Sequence, residues 1–278
     1  MAETQEGKRR NTWIIVVVVG AILLLLLCGC LAVFVGGWLF VGRTPVAQRI
    51  TTVDVTGIGR QLEVTRSVGN VFDVGTPAVL VVENEVGTVQ IIGTNQDQVS
   101  VQATVHGYGT TNQAAQEAAD DVSIEMGTGE GNQVRLVGEI PDGVNFGKSP
   151  SVDWIIYVPI QTMVQVQNNV GRVNVQNIVG SAVVNVNVGA IDVRGFTMTD
   201  DTSLTTDVGE IHIALPAGSV FNLNASTRVG DINSQFAVSG DNPNHPGVSK
   251  ELQGTVGSNP EVTLTLHTGT GAISITKE

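Results

Sequence analysis

Four acids along this chain are spaced so that they could work together. Asp192, Asp207, Glu210 and Asp231 occupy polar slots near successive corners of a repeat. Neighbouring strands lie about 4.8 Å apart, so acids stacked in register would repel one another. A cation such as Ca2+ could relieve them, and acids gathered on a β stack could then act on a carbohydrate. Arg172, Arg194 and Arg228 offer a simpler relief, alternating with the acids as an ion-pair ladder. Asn168, Asn169, Asn174, Asn185, Asn187 and Asn224 could form amide ladders along the same stack, which would serve stability rather than chemistry. His106, His212, His245 and His267 are scattered, with no partner at metal-ligand spacing. His212 alternates with Ile211 and Ile213 and is expected to point outward. There is no nucleophile elbow and no phosphate-binding loop, and Gly127-Thr128-Gly129-Glu130-Gly131 reads as a tight turn. The expectation is a protein that is not an enzyme, with no catalytic, cofactor-binding or metal-binding residue and no cofactor.

The element that would position these residues is a six-letter phrase: an apolar residue, Gly, any residue, Ile or Val, any residue, then usually Ile or Val. It reads Val86-Gly87-Thr88-Val89-Gln90-Ile91 and returns at Val170-Gly171, Val188-Gly189, Val208-Gly209, Val229-Gly230 and, with Thr first, Thr270-Gly271. Gly171, Gly189, Gly209 and Gly230 follow at intervals of 18, 20 and 21 residues. The 41 residues from Gly230 to Gly271 read as two turns and the 84 from Gly87 to Gly171 as four, with Val68-Gly69-Asn70-Val71 as a degenerate earlier copy. Between phrases apolar and polar residues alternate, as in Val164-Gln165-Val166-Gln167. That is the period of half-buried strands. Gly180 falls midway between Gly171 and Gly189, so each turn holds two short strands and two corners. Glycine is expected to supply positive φ at each corner. The variable letters Thr88, Arg172, Ala190, Glu210, Asp231 and Ala272 are expected on the outside.

The fold expected is all-β, a right-handed β-solenoid-like stack of ~20-residue coils with one short helix. An antiparallel meander or sandwich is the alternative. Residues 111–121, Ala-rich behind a Thr or Asn cap, are the helix. Residues 238–259, with Asp241-Asn242-Pro243-Asn244-His245-Pro246-Gly247, read as a loop inserted between coils.

One segment is not β. Residues 13–41 are apolar and uncharged, and their 29 residues exceed the ~20 that span a bilayer. Trp13 and Trp38 lie near its ends, and Lys8, Arg9 and Arg10 before it keep the N-terminus cytoplasmic. The expected organisation is a cytoplasmic tail (1–12), a transmembrane signal anchor (13–42), a linker (43–61) and an extracytoplasmic β-repeat domain (62–278), single-pass in the cell membrane. A cleaved signal would have a shorter apolar run. Leu27-Cys28-Gly29-Cys30 resembles a lipobox, yet residues 31–39 continue apolar, so lipidation of Cys30 stays open. Cys28, Ala32 and Gly36, four apart, would permit close helix approach in a homodimer. The net charge is −12 overall and −13 beyond the first 12 residues, which disfavours nucleic acid as a partner. Aromatic residues make up only 4%, too few for a stacking platform.

Four stretches carry a family resemblance: ENEVGTVQIIG at 83–93, the Ala-rich run at 114–121, WIIYVPIQTMVQVQNNVGRVNVQN at 154–177 and TGTGAISITK at 268–277. In that order, over residues 62–278, the chain resembles the bacterial putative-adhesin β-strand-repeat family, the toastrack domain. The resemblance implies a solenoid-like β domain displayed outside the membrane, with no catalytic residues to carry across. The insertion after Val238 is longer than the common pattern. The expected function is adhesin-like binding of an envelope protein, glycan or surface component. One alternative is an accessory ectodomain of envelope-stress sensing, in which a partner membrane protein carries the signal past the 12-residue tail. The other is a carbohydrate-active β-helix enzyme.

Overall fold

The structure, a computed structural model, describes residues 50–52, 62–141, 148–240 and 249–278, with backbone alone for 50–52. Contacts divide the chain into the units Met1–Pro45 and Val46–Glu278, and the fold is that of the second. The apolar segment 13–42, with Cys28, Cys30, Ala32 and Gly36, lies outside the described residues, as does His245. Among the described residues no helix is long and apolar enough to cross a membrane.

The alternating sequence pattern becomes strands almost throughout. In chain order these are β1 (Ile50–Thr52), β2 (Leu62–Asp73), β3 (Ala78–Val86), β4 (Val89–Thr94) and β5 (Gln98–Gly109). Helix α1 (Asn112–Asp120) follows, then β6 (Ser123–Thr128), β7 (Gln133–Glu139), β8 (Lys148–Pro159), β9 (Thr162–Val170), β10 (Val173–Gly180), β11 (Ala182–Val188) and β12 (Ile191–Met198). The chain continues with β13 (Thr202–Val208), β14 (Ile211–Leu215), β15 (Phe221–Val229), β16 (Ile232–Ser234), β17 (Lys250–Val256), β18 (Thr263–Thr270) and β19 (Ile273–Lys277). They form two mixed sheets: a ten-stranded one ordered β1-β2-β5-β8-β4-β10-β12-β14-β19-β16, and a nine-stranded one ordered β17-β15-β18-β13-β11-β9-β3-β7-β6.

Successive strands alternate between the sheets, so that β9 with β10, β11 with β12 and β13 with β14 each make one coil. Coils pair in parallel, with Val173 opposite Ile191 in one sheet and Val184 opposite Val166 in the other. Inward residues of both sheets meet in one core, where Trp154, Phe196 and Phe221 are the bulkiest enclosed side chains. Burying one aliphatic side chain contributes about 1.5–3 kcal/mol. A lone coil has no neighbour to complete that burial, so each depends on those beside it.

The stacking order departs from the chain order at both ends. The coil β18–β19 inserts between β13–β14 and β15–β16, and the coil β3–β4 lies between β7–β8 and β9–β10. The residues from Gly230 to Gly271 are therefore not two turns. They hold β16, the antiparallel β17 and then β18, in which the chain returns inward between β13 and β15. Nor are the residues from Gly87 to Gly171 four turns, since they hold β4 to β9 and α1. Gly69 is no corner either; it lies within β2, opposite Gln102 of β5. The expected loop at 238–259 contains β17, which caps the nine-stranded sheet. Arithmetic on spacing misses all of this because a strand chooses its partner by an open edge and a matching inward face, not by nearness in sequence. Antiparallel pairing, the alternative weighed for the whole fold, occurs at the ends: β1 on β2, β2 on β5, β5 on β8, β6 on β7 and β17 on β15.

The helix forms where expected. Thr111 Oγ1 accepts a hydrogen bond from the Ala114 amide at 3.1 Å, which caps its first turn. Its buried face, Ala115, Ala118 and Ala119, packs on β5. Lys148 of β8 ties its far end through Glu117 at 2.8 Å and Asp121 at 3.7 Å.

Candidate functional site

The phrase glycines form a column along one edge of the stack, in the order Gly87, Gly171, Gly189, Gly209, Gly271, Gly230. Their φ angles run from 133° to 153°, which disfavours any side chain. A Cβ on Gly189 would stand 1.8 Å from the Gly171 carbonyl oxygen, and one on Gly209 1.7 Å from that of Gly189. Three residues before each glycine, a side chain points into the stack beneath the corner: Asn84, Asn168, Val186, Thr206, Thr268 and Thr227. The hydroxyls of Thr206, Thr268 and Thr227 donate to the carbonyls of Gly189, Gly209 and Gly271 at 3.1, 2.9 and 3.1 Å. Asn168 Nδ2 donates to the Gly87 carbonyl at 3.2 Å. Asn84 Nδ2 donates to Asn168 Oδ1 at 3.0 Å, and Asn84 Oδ1 accepts from Trp154 Nε1 at 3.0 Å. This polar spine was legible only as a Thr or Asn three places before the phrase glycine, a signal the repeat reading passed over. It is structural, because buried polar groups must be paired.

The acids singled out from sequence do not come together. Asp192 lies on the outer face of the ten-stranded sheet, Asp207 on the nine-stranded sheet, and Glu210 and Asp231 at the glycine corner. Arg194 donates to both oxygens of Asp192, at 2.7 and 2.8 Å, so arginine does relieve this acid, but within one strand rather than along a ladder. Burial pushes the Asp192 carboxyl up; Arg194, with His212 helping, outweighs it and leaves the net pKa below the usual carboxylate value. Asp231 pairs with Lys250. His212 lies 3.6 Å from Asp192 and 3.1 Å from Thr276, half-buried on its sheet face. Asn187 donates to Asn169 at 3.0 Å, one rung of an amide ladder, whereas Asn224 bonds Gln253 of the cap at 3.2 Å and Asn168 turns inward. Among the described residues no group of three or more His, Cys, Asp or Glu is placed to hold a metal.

Sequence reading missed a second cluster, on the antiparallel strands β2, β5 and β8. His106 Nδ1 lies 2.7 Å from Glu63, and its Nε2 lies 3.4 Å from Asp153. Asp153 in turn accepts from the Thr88 amide at 2.7 Å, linking the cluster to a phrase corner. Asp153 most strongly, against burial and with Glu63 helping, raises the His106 pKa from 6.5 to about 9. The same contact, first among its causes, lowers that of Asp153. A histidine pKa raised by folding adds stability that is full below 6.5 and is lost as pH rises through about 9. The expected result is a urea midpoint that is level from about pH 5 to 6.5 and falls toward pH 9, with His106→Gln flattening the fall. A wild-type midpoint that stays level to pH 9 would contradict the cluster.

The outer face of the nine-stranded sheet carries a groove of about 460 Å3, walled by Glu83, Glu85, Glu125, Arg135, Glu139 and Gln167. A second hollow of about 330 Å3 adjoins it over Val81, Gln165, Val183 and Asn185 and shares Glu83 and Gln167 with the first. Arg135 Nη2 donates to both Glu83 oxygens at 2.9 Å, which fixes the groove's one cation against a wall. Side-chain amides present a donor and an acceptor in one plane. The excess of acids favours a neutral or cationic ligand over an anionic polymer.

Residues 158–276 match the family described as Toastrack DUF4097. The toastrack likeness thus covers a little under half of the chain. The crystal structure of a putative cell adhesion protein from Clostridium sporogenes matches with a TM-score of 0.52 at 16% identity, over 76% of this chain and 99% of that one. That likeness is one of fold. A putative adhesin from Bacteroides fragilis matches with a TM-score of 0.33 at 12% identity, over 75% and 96% of the two chains. No curated relative matches. The toastrack match opens at the end of β8 and takes in the coils from β9 onward. The groove straddles that boundary: Gln167 comes from the matched part, and Glu83, Glu125 and Arg135 come from β3, β6 and β7 before it.

Proposed function

We propose that this chain is a membrane-anchored, extracytoplasmic, non-enzymatic module that binds an envelope or surface component in adhesin-like fashion. Its coils wind in the right-handed sense that parallel crossovers take. The carrying observation is the groove on the nine-stranded sheet, where planar amides and carboxylates converge on one open face. The 29-residue apolar run and the basic residues before it support the anchor and the cytoplasmic N-terminus. The small-residue stripe Cys28, Ala32 and Gly36 would serve self-association within the bilayer. The name of the Clostridium sporogenes protein fits binding rather than turnover.

The test uses the full chain against purified peptidoglycan sacculi, a probe rich in hydroxyl and amide groups. Arg135→Ala with Gln167→Ala is expected to weaken retention about tenfold, as loss of two charged or polar contacts implies. Retention unchanged by the pair would remove the groove from consideration.

A further inference from the structure

The residue before each phrase glycine does not enter the core. Val170, Val188, Val208 and Val229 are 45%, 48%, 50% and 49% exposed. With Val86 and Thr270 they are in-register partners, in the order Val86, Val170, Val188, Val208, Thr270, Val229. The corner thus bears an apolar ridge that the fold leaves uncovered. β-branched residues suit strands on either face, but the columns beside the ridge carry a pattern that strand propensity does not require.

On one flank stand the residues after each glycine: Thr88, Arg172, Ala190, Glu210, Ala272 and Asp231 in stacking order. Arg172 and Glu210 are exposed, lie two coils apart, and form no ion pair among the described residues. On the other flank stand Asn169, Asn187 and Asp207 on the same three coils. Turn a second ridge antiparallel to the first, about a two-fold axis at Val188. Arg172 of each copy then faces Glu210 of the other, twice over. Val170 faces Val208, Val188 faces itself, and the Asn169 amide faces the Asp207 carboxylate. Other arrangements do worse. A parallel two-fold sets Glu210 against Asp207, and an antiparallel axis one coil further on sets Glu210 against itself.

We infer that the valine ridge is a homotypic docking surface whose partner is a second copy of this chain, with the two stacks antiparallel about Val188. This names a partner for the adhesin-like reading and rests on it. The contact is isologous, as closed dimers require. Five coils at about 4.8 Å give a strip about 24 Å long. At about 15 Å wide it buries roughly 700 Å2 in all, short of the about 1,200 Å2 of a stable pair. One contact is therefore weak, and many copies displayed on a surface make it effective through avidity.

The test is cysteine trapping in the full chain, with Cys28→Ser and Cys30→Ser as background. Val188→Cys, on the axis, is expected to give at least tenfold more disulfide dimer than Val71→Cys, which is exposed on β2 far from the ridge. Arg172→Glu alone and Glu210→Arg alone should each abolish the excess, and the two together should restore it. Equal trapping at positions 188 and 71, or a double variant no better than the singles, overturns the proposal. Both charged side chains are exposed, so urea midpoints of the variants should match wild type, which separates lost docking from lost folding. Sacculus retention reads the groove independently: the Arg172 and Glu210 variants should lose the dimer excess and keep retention, equal trapping at positions 188 and 71 with retention intact overturns the ridge alone, and excess trapping at 188 with retention unchanged by Arg135→Ala and Gln167→Ala overturns the groove alone.

Discussion

Gly189→Ala lowers the stability of the domain by about 4 kcal/mol, or prevents it from folding. Two costs combine. The residue sits at φ 152°, a conformation that charges an L side chain about 1–3 kcal/mol. Its new Cβ would lie 1.8 Å from the Gly171 carbonyl oxygen, which is backbone and cannot swing away. Parting these two coils by even half an ångström stretches the hydrogen bonds between them, from the Gly171 amide to the Val188 carbonyl at 2.9 Å and from the Val173 amide to the Ala190 carbonyl at 3.0 Å. Overpacking of this kind adds about 1–3 kcal/mol. Gly127→Ala is the control. It has nothing within 4 Å of its Cβ position, and its change should stay within about 0.5 kcal/mol. Urea denaturation of both variants checks the pair, and equal losses would mean that the column is not what the glycines are for.

Asn84→Ala costs about 3 kcal/mol. Asn84 is 5% exposed and sits among three partners: Asn168, the Val152 carbonyl and the Trp154 indole. Removing it leaves the Trp154 N–H and the Asn168 oxygen buried without that bond, and each such group costs about 1–3 kcal/mol. A network of this kind should show coupling. In a cycle of Asn84→Ala and Trp154→Phe, the double variant should lose less than the sum of the singles by about 1 kcal/mol. Strict additivity would mean that the indole and the amide do not depend on each other.

The sequence carried the local rules of this fold well. Corner glycines, inward Ile and Val, and outward Arg172, Glu210 and Asp231 all follow from a period of two interrupted by glycine. So does α1, because Thr111 and a run of alanines leave few other choices. The order of the coils was hidden. Gly230 and Gly271 look alike at a corner, and their φ angles of 153° and 151° are nearly the same. Nothing local states which of them lies against Gly209. The His106 cluster was hidden for a related reason, since Glu63, His106 and Asp153 come from strands up to 90 residues apart that meet only through antiparallel pairing. The groove draws on β3, β6, β7 and β9, and no spacing rule joins those four strands. The ridge was half visible: the apolar letter opened every phrase, but its exposure depends on how the chain turns the corner.

The inserted coil has a consequence for how the chain is made. β15 and β16 leave the ribosome before β18 and β19, yet β18–β19 ends up closer to the middle of the stack. When β15–β16 emerges, the open edge of β13–β14 is the one it could take at once, with a glycine corner of the right shape. The native arrangement reserves that berth for a later arrival. Maturation thus includes a choice between prompt and correct neighbours, and the coil that arrives later works as a keystone, wedged into place after the stones on both sides exist.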